Sequence, residues 1–205
     1  MPIILVRHGE ADNQIRDITG GWTDTDLTPL GIKQAMKAGE RISQLINGAP
    51  CRVVSSDLKR AYKTAEIIGQ NLNVKPEAYF DLREFNNGEA TWKTKKEAEQ
   101  IFEAPTYPTL DWCPYPGAET WRRFHKRISD VMDKIFRSFD ETLIIVGHSG
   151  SLVNVTHWWL KLPLNMIDDI SYKFDNGSIT ILSVTDLHER LIEVLNDTRH
   201  LNPLS

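Results

Sequence analysis

Two histidines each follow a run of apolar, β-forming residues: His8 after residues 3–6 and Arg7, and His148 after residues 142–146 and Gly147. An imidazole whose reacting nitrogen is neutral can attack phosphorus and form a covalent intermediate. Arg7 and Arg60 present planar, charged donors that match the oxygens of a phosphoryl group. His148 can donate further hydrogen bonds as charge builds on the transferring group, and backbone N–H groups around Ser149 or Gly150 extend the anion cradle. Glu84 supplies a carboxyl that can protonate a departing oxygen and later activate water. Glu10 and Glu89 are acidic neighbours that compete for that role. The chemistry this set suggests is phosphoryl transfer through His8.

Each of these residues is ordinary when taken singly. The positions make the set informative, because open α/β sheets bind ligands beyond the carboxyl ends of their strands. Residues 3–6 read as a short buried strand ending at Arg7-His8. Residues 52–55 read as a second strand, leading through Ser56-Asp57 into a helix that carries Arg60, with Asp57 as its N-cap or first-turn acid. Residues 142–146 form a third, ending at His148.

Between these strands, Thr28-Pro29 starts a helix, with Thr as N-cap and Pro at the first helical position. Ile32, Ala35, Met36, Gly39 and Ile42 form its buried face. Ala61, Ala65, Ile68 and Leu72 form the stripe of the next helix. Residues 74–116 are the least regular, with a helix expected over 91–102 and interruptions at Pro105, Pro108, Pro114 and Pro116. A long amphipathic helix is expected over 120–139, another from Leu152 towards Pro163, and two late strands at 178–184 and 191–195. The alternation predicts one α/β domain over 1–205: a three-layer α/β/α sandwich around a mostly parallel mixed sheet, with an inserted active-site cover at about 74–119.

The chain of 205 residues carries 24 basic and 28 acidic side chains, a formal net charge of −4. That balance gives no reason to expect nucleic acid or a membrane as partner, while a local arginine cluster still suits a small phosphorylated substrate. No stretch approaches the roughly 20 apolar residues of a spanning helix, and the start of the chain lacks the pattern of a secretory signal. Cys51 and Cys113 form no metal pattern, and a cytoplasmic location is expected. Homo-oligomerisation is left open.

The motifs make the reading specific. Arg7-His8-Gly9-Glu10, Gly21-Trp22, Asp26-Leu27-Thr28-Pro29-Leu30-Gly31, Ser55-Ser56-Asp57-Leu58-Lys59-Arg60-Ala61, Leu82-Arg83-Glu84 with Gly88-Glu89, Pro116-Gly117-Ala118-Glu119-Thr120 and Val146-Gly147-His148-Ser149-Gly150 run along essentially the whole chain. Together they resemble the histidine phosphatase superfamily, in its phosphoglycerate-mutase-like branch. The resemblance implies that His8 is the phosphohistidine nucleophile, that Arg7, Arg60 and His148 form the phosphate pocket, and that Glu84 is the proton donor. Gly21 and Ser149 join the binding set. Gln14 stands where the family usually has a phosphate-contacting Asn, and Ala11 where Ser or Thr is common. The implied activity is metal- and cofactor-free hydrolysis of a phosphomonoester.

A phosphoglycerate-type phosphomutase is the first alternative. The surroundings of Asn86-Asn87-Gly88 do not reproduce the Tyr, Lys and adjacent-Arg contacts of those mutases, which favours the phosphatase. A non-enzymatic protein that binds phosphorylated ligands is a second alternative. A serine hydrolase built on Gly147-His148-Ser149-Gly150-Ser151 has Ser151 where the motif requires glycine, and leaves Arg7, His8 and Arg60 without a role.

Overall fold

The computed structural model describes residues 2–136 and 141–202. In chain order the elements are β1 (Ile3–Arg7), α1 (Asp12–Ile15), α2 (Pro29–Ile46), β2 (Cys51–Ser56), α3 (Lys59–Leu72), β3 (Glu77–Tyr79), α4 (Lys95–Glu99), α5 (Trp121–Phe136), β4 (Thr142–Gly147), α6 (Ser149–Leu160), β5 (Ile179–Val184) and β6 (Arg190–Asp197). Among the described residues the strands form one sheet in the order β3-β2-β4-β1-β5-β6. The pairs β3–β2, β2–β4 and β4–β1 are parallel, and β1–β5 and β5–β6 antiparallel.

Successive residues of a strand face opposite sides of the sheet, so a strand buried on both sides is apolar throughout. In β1, Ile3 and Leu5 pack with Phe124, Ile128 and Met132 of α5 and Leu152 and Val155 of α6. Ile4 and Val6 face the other way, onto Ala38 and Ile42 of α2 and Ala61, Ala65 and Ile68 of α3. β4 divides in the same manner, with Leu143 and Ile145 on the first face and Ile144 and Val146 on the second. The expected three layers and mostly parallel mixed sheet are therefore present.

Several local expectations need correction. α2 begins as read, with Pro29 at its first position and the Thr28 hydroxyl accepting from Gly31 N. Its buried face is Gly31, Ala35, Ala38, Gly39 and Ile42, while Ile32 and Met36 are exposed at 40% and 49%. Small residues line that face because α2 packs closely on α3, and Ile32 and Met36 lie to one side of the contact. The residue at the N-cap of α3 is Leu58 and not Asp57. Asp57 instead makes a two-point ion pair with Arg83, at 2.6 and 2.8 Å.

The helix expected over 91–102 shrinks to α4. Trp92 adopts a left-handed backbone (φ 67°), and the helix restarts from a capping box in which Thr94 and Glu97 satisfy each other's backbone N–H groups. The expected helix over 120–139 is observed as α5, and residues 137–139 lie outside the described residues. β3, only three residues long and polar, has no sequence signature; it pairs in parallel with Val54, Ser55 and Ser56. The late strands run 179–184 and 190–197, close to expectation. Trp159 is buried in the core, with its indole N–H donated to the Leu191 carbonyl, so the tryptophan pair 158–159 is mainly packing.

Candidate active site

The register of the two central strands brings the histidines together. Arg7 stands opposite Gly147 in the parallel β1–β4 ladder, so the chains leave the sheet side by side. The His8 N–H continues the ladder to the Gly147 carbonyl at 3.0 Å. The two rings then meet edge to face, with centroids 5.0 Å apart and planes at 63°. Both are buried, at 4% and 1% exposure.

The contacts of His8 fix its tautomer. Nδ1 lies 2.6 Å from the Gly9 carbonyl, which can only accept, so Nδ1 carries the hydrogen. Nε2 lies 3.3 Å from Arg60 Nε, which can only donate, so Nε2 holds a lone pair. Burial, reinforced by the positive charges of Arg60 and Arg7, pushes the His8 pKa well below the ordinary histidine value. The ring is therefore neutral at physiological pH, with its Nε2 lone pair accepting the Arg60 contact.

Arg60 enters from the first turn of α3 and is 2% exposed. Nη1 donates to the Thr23 carbonyl at 2.5 Å and Nη2 to the Gly21 carbonyl at 2.8 Å. Three of its five N–H groups are thus engaged, counting the one to His8, and two remain for a ligand. Gly21 contributes its carbonyl to this clamp. Its φ of 59° and close approach to Asn87 explain why glycine stands there. Burial lowers the Arg60 pKa to about 10, which leaves it charged at neutral pH. Arg7 donates through Nη1 to the Phe174 carbonyl at 2.6 Å, while its buried Nε has no partner. Both ring nitrogens of His148 are also buried without partners.

Unpartnered buried polar groups normally cost about 1–3 kcal/mol each. Here they belong to neighbours of His8, the His148 ring in edge-to-face contact with it and Arg7 close enough for its charge to act on it, as expected of a preformed anion cradle.

Glu84 completes the set. Oε1 accepts from Phe85 N at 2.8 Å and Oε2 from Gly150 N at 2.9 Å. The carboxyl is thereby held between the loop after β3 and the first turn of α6. The Gly150 N–H serves Glu84, and so does not extend the anion cradle as expected from the sequence. A Cβ at position 150 would overlap Glu84 Oε1, so any other residue there displaces the carboxyl. Trp22 Nε1 and Arg127 Nη2 donate to the Glu84 carbonyl, at 2.8 and 3.1 Å. Glu10, a competing acid in the sequence reading, instead accepts from the Thr28 hydroxyl at 2.7 Å.

His8, Arg7, Arg60, His148 and Glu84 therefore gather at one place. Ser149 opens α6 beside them and lines a neighbouring cavity. Gln14 is exposed, and its amide is occupied by Ala11 N and by both amide atoms of Asn176, a geometry that suits loop support. Sequence reasoning missed Asn176, and it included Thr64 only as part of the motif that runs from Ser55 through Thr64-Ala65, with no role assigned. Asn176 Nδ2 donates to the His8 carbonyl at 3.0 Å, and Thr64 Oγ1 accepts from Gly9 N at 3.2 Å while donating to the Arg60 carbonyl. The Asp175-Asn176-Gly177 turn preceding β5 was the available signal for the first.

The neutral histidines make stability depend on pH. His148, like His8, has a pKa held well below the ordinary value, chiefly by burial and then by Arg60 and His8. Above about pH 6.5 neither folded nor unfolded chain protonates these rings, and they leave stability unchanged. Below it the unfolded chain takes up protons that the fold refuses, so stability falls by up to about 1.4 kcal/mol per pH unit for each ring. Denaturant midpoints measured from pH 8 to pH 5 are expected to be flat and then to drop, and His148→Gln is expected to shallow the drop.

Among the described residues no group of three or more His, Cys, Asp or Glu side chains could hold a metal ion, and no helix is long and apolar enough to cross a membrane. Cys51 and Cys113 are free thiols.

The chain is 28% identical over 207 residues to the metal-independent phosphoserine phosphatase of Arabidopsis thaliana, covering 98% of this chain and 83% of that protein. It is 29% identical over 167 residues to the 2,3-bisphosphoglycerate-dependent phosphoglycerate mutase of Allorhizobium ampelinum, covering 73% of this chain and 75% of that one. A structure of mycobacterial glucosyl-3-phosphoglycerate phosphatase in complex with VO3 superposes with a TM-score of 0.80 at 26% identity, covering 96% of this chain and 99% of that one. The family description "Histidine phosphatase superfamily (branch 1)" matches residues 3–198. With nearly the whole chain matched, the protein belongs to the histidine phosphatase superfamily, in its phosphoglycerate-mutase-like branch.

Proposed function

We propose that the protein is a metal-independent phosphomonoesterase that works through a phosphohistidine at His8. The observation that carries this reading is the neutral His8 Nε2, engaged only by a 3.3 Å contact from Arg60, in a cluster with the buried, unpartnered groups on Arg7 and His148. A phosphoryl group placed there displaces the weak Arg60–His8 contact and takes up the spare donors of both arginines. The His8 Nε2 lone pair forms the N–P bond as the P–O bond to the alcohol breaks. Glu84, entering as the carboxylic acid, gives its proton to the departing oxygen. As the carboxylate it then takes a proton from water, whose oxygen attacks phosphorus. The N–P bond breaks, its electron pair returns to Nε2, and inorganic phosphate leaves.

The residues of 74–119 act in this reading as the cover of the site. They supply Glu84, and Phe85 beside it anchors the segment by packing on Trp121 and Phe124 of α5. The mutase alternative is supported by the similarity to the Allorhizobium ampelinum enzyme. Against it, Asn86 accepts from Gly88 N and Asn87 from Trp22 N and the Thr91 hydroxyl, so neither side chain is spent on a phosphoglycerate group.

The test is initial-rate phosphate release from a varied phosphomonoester panel in chelator-treated buffer, with 3-phosphoglycerate isomerisation assayed in parallel after priming with 2,3-bisphosphoglycerate. His8-dependent release without isomerisation is expected, together with inhibition by vanadate. Isomerisation that outpaces release overturns the assignment in favour of the mutase.

A further inference from the structure

Glu84 gives its proton to the leaving oxygen in the reaction proposed above, so the alcohol part of the substrate must extend from the phosphate on the side where Glu84 lies. Gly150, whose N–H holds Glu84 Oε2, also borders a cavity of about 380 Å³. Its apolar surface comes from Trp112, Trp121, Val153 and Ile167, and its polar groups include Asn154, His157 and Asp168. This volume and mixed lining fall in the range of small-molecule sites.

The charges around this cavity are one-sided. Among the described residues no lysine or arginine lines it, whereas Asp168 does. Arg122 acts electrostatically with Asp168 but is committed to Asp111, at 2.7 and 2.8 Å. Arg83 pairs with Asp57, and Arg127 pairs with Glu119 at 2.6 Å while also serving three backbone carbonyls. Lys161 and Arg190 border a separate hollow that shares His157 as a wall, and Arg190 is turned to the carbonyls of Trp158 and Trp159. A carboxylate or second phosphate brought into the cavity would lose water and meet a carboxylate, with no free cation in exchange.

Neutral polar groups are available instead. His157 is 1% exposed, and neither of its ring nitrogens has a well-aligned hydrogen bond. Burial lowers its pKa to about 4, partly offset by the Ile170 carbonyl facing the ring, so at neutral pH it carries no charge and its lone-pair nitrogen can accept a hydrogen bond. Asp168 accepts from the Thr109 hydroxyl at 2.5 Å and keeps acceptor capacity for an incoming O–H or N–H. The half-buried indoles of Trp112 and Trp121 provide flat apolar surface for a ring.

We propose that this cavity is the leaving-group subsite, and that it selects phosphomonoesters of uncharged, hydroxylated ring alcohols over esters whose alcohol carries a carboxylate or a second phosphate. The inference rests on the phosphatase reading, and it separates this chain from the carboxylated substrates in its relatives' names.

The experiment compares kcat/KM for four primary phosphate esters of similar leaving-group basicity: a hexose 6-phosphate, a nucleoside 5′-monophosphate, phosphoserine and 3-phosphoglycerate. The two ring esters are expected to exceed the two carboxylates by about tenfold or more, the scale of discrimination that pocket contacts support. Asp168 is exposed and its replacement leaves the core intact, so Asp168→Lys is expected to shift the ratio at least about tenfold towards the carboxylates, with Asp168→Asn in between. Wild-type preference for phosphoserine or 3-phosphoglycerate overturns the subsite assignment alone, as does a ratio that neither variant moves. Absence of His8-dependent turnover with every ester overturns the phosphatase reading and this inference together.

Discussion

His8→Ala is expected to lower phosphate release by about 10⁴-fold or more, because it removes the atom proposed to form the covalent intermediate. The size of the loss follows from the site's construction. Arg7, Arg60 and His148 remain in the variant, so the phosphate group still binds, while the His148 ring, centred 5.0 Å from that of His8, is not at the position His8 vacates. Turnover should therefore collapse with little change in affinity for inorganic phosphate or vanadate. Rapid acid or base quench with a labelled substrate checks the cause directly. Wild type is expected to yield a base-stable, acid-labile phosphoprotein, and His8→Ala none. Retention of the labelled species in the variant would falsify the nucleophile assignment.

Glu84→Gln is expected to lower kcat by about 10²–10⁴-fold for alkyl phosphates, the range that general acid–base groups contribute. The loss should be smaller for p-nitrophenyl phosphate in the first step, since that leaving group departs without a proton. The two carboxylate oxygens each accept one backbone N–H, from Phe85 and Gly150. A glutamine has one oxygen and one NH2, so one of those donors faces another donor, and the side chain is pushed from its seat. The affinity for vanadate separates the two effects. A wild-type affinity with a slowed, leaving-group-dependent kcat assigns the loss to proton transfer. A parallel loss of vanadate affinity assigns it to disturbance of the first turn of α6.

The parts of the site legible in the sequence are those whose position follows from strand ends. Arg7-His8 and Gly147-His148 follow apolar runs long enough for buried strands and too short for helices, and parallel pairing does the rest. Arg60 was legible because it sits in the first turn of a helix after such a strand. Less legible were contacts made by backbone atoms. That Gly150 N–H binds Glu84, and that Gly21 and Thr23 carbonyls hold Arg60, depends on loop paths that side-chain types do not specify. The shortened α4 has a similar cause. Lysine and glutamate there satisfy helix propensity over 91–102, yet Trp92 turns left-handed and a capping box at Thr94 restarts the chain. Ile32 and Met36 looked like core because periodicity reports a face and not its width; the close α2–α3 contact uses alanine and glycine instead.

The parallel ladder between β1 and β4 has a consequence for how such a protein can change over time. The spacing of His8 and His148 is inherited from backbone pairing in the middle of the sheet, where Arg7 faces Gly147 and every neighbouring side chain is packed. Amide hydrogens in these strands should exchange only on global opening, so a substitution that alters the reacting centre also threatens the fold. The neighbouring cavity has a mixed lining: α6, which follows His148 directly, supplies Ser149, Gly150, Val153, Asn154 and His157, whereas the chain near Thr109 and Trp112 and the stretch from Ile167 to Ser171 lie outside the strands. Variation in those last two stretches leaves the ladder untouched. In the subsite reading, part of the substrate range is thus carried apart from the reacting centre, and new specificities can be selected, or engineered, by exchanging those two stretches while the central strands and the start of α6 are left as they are.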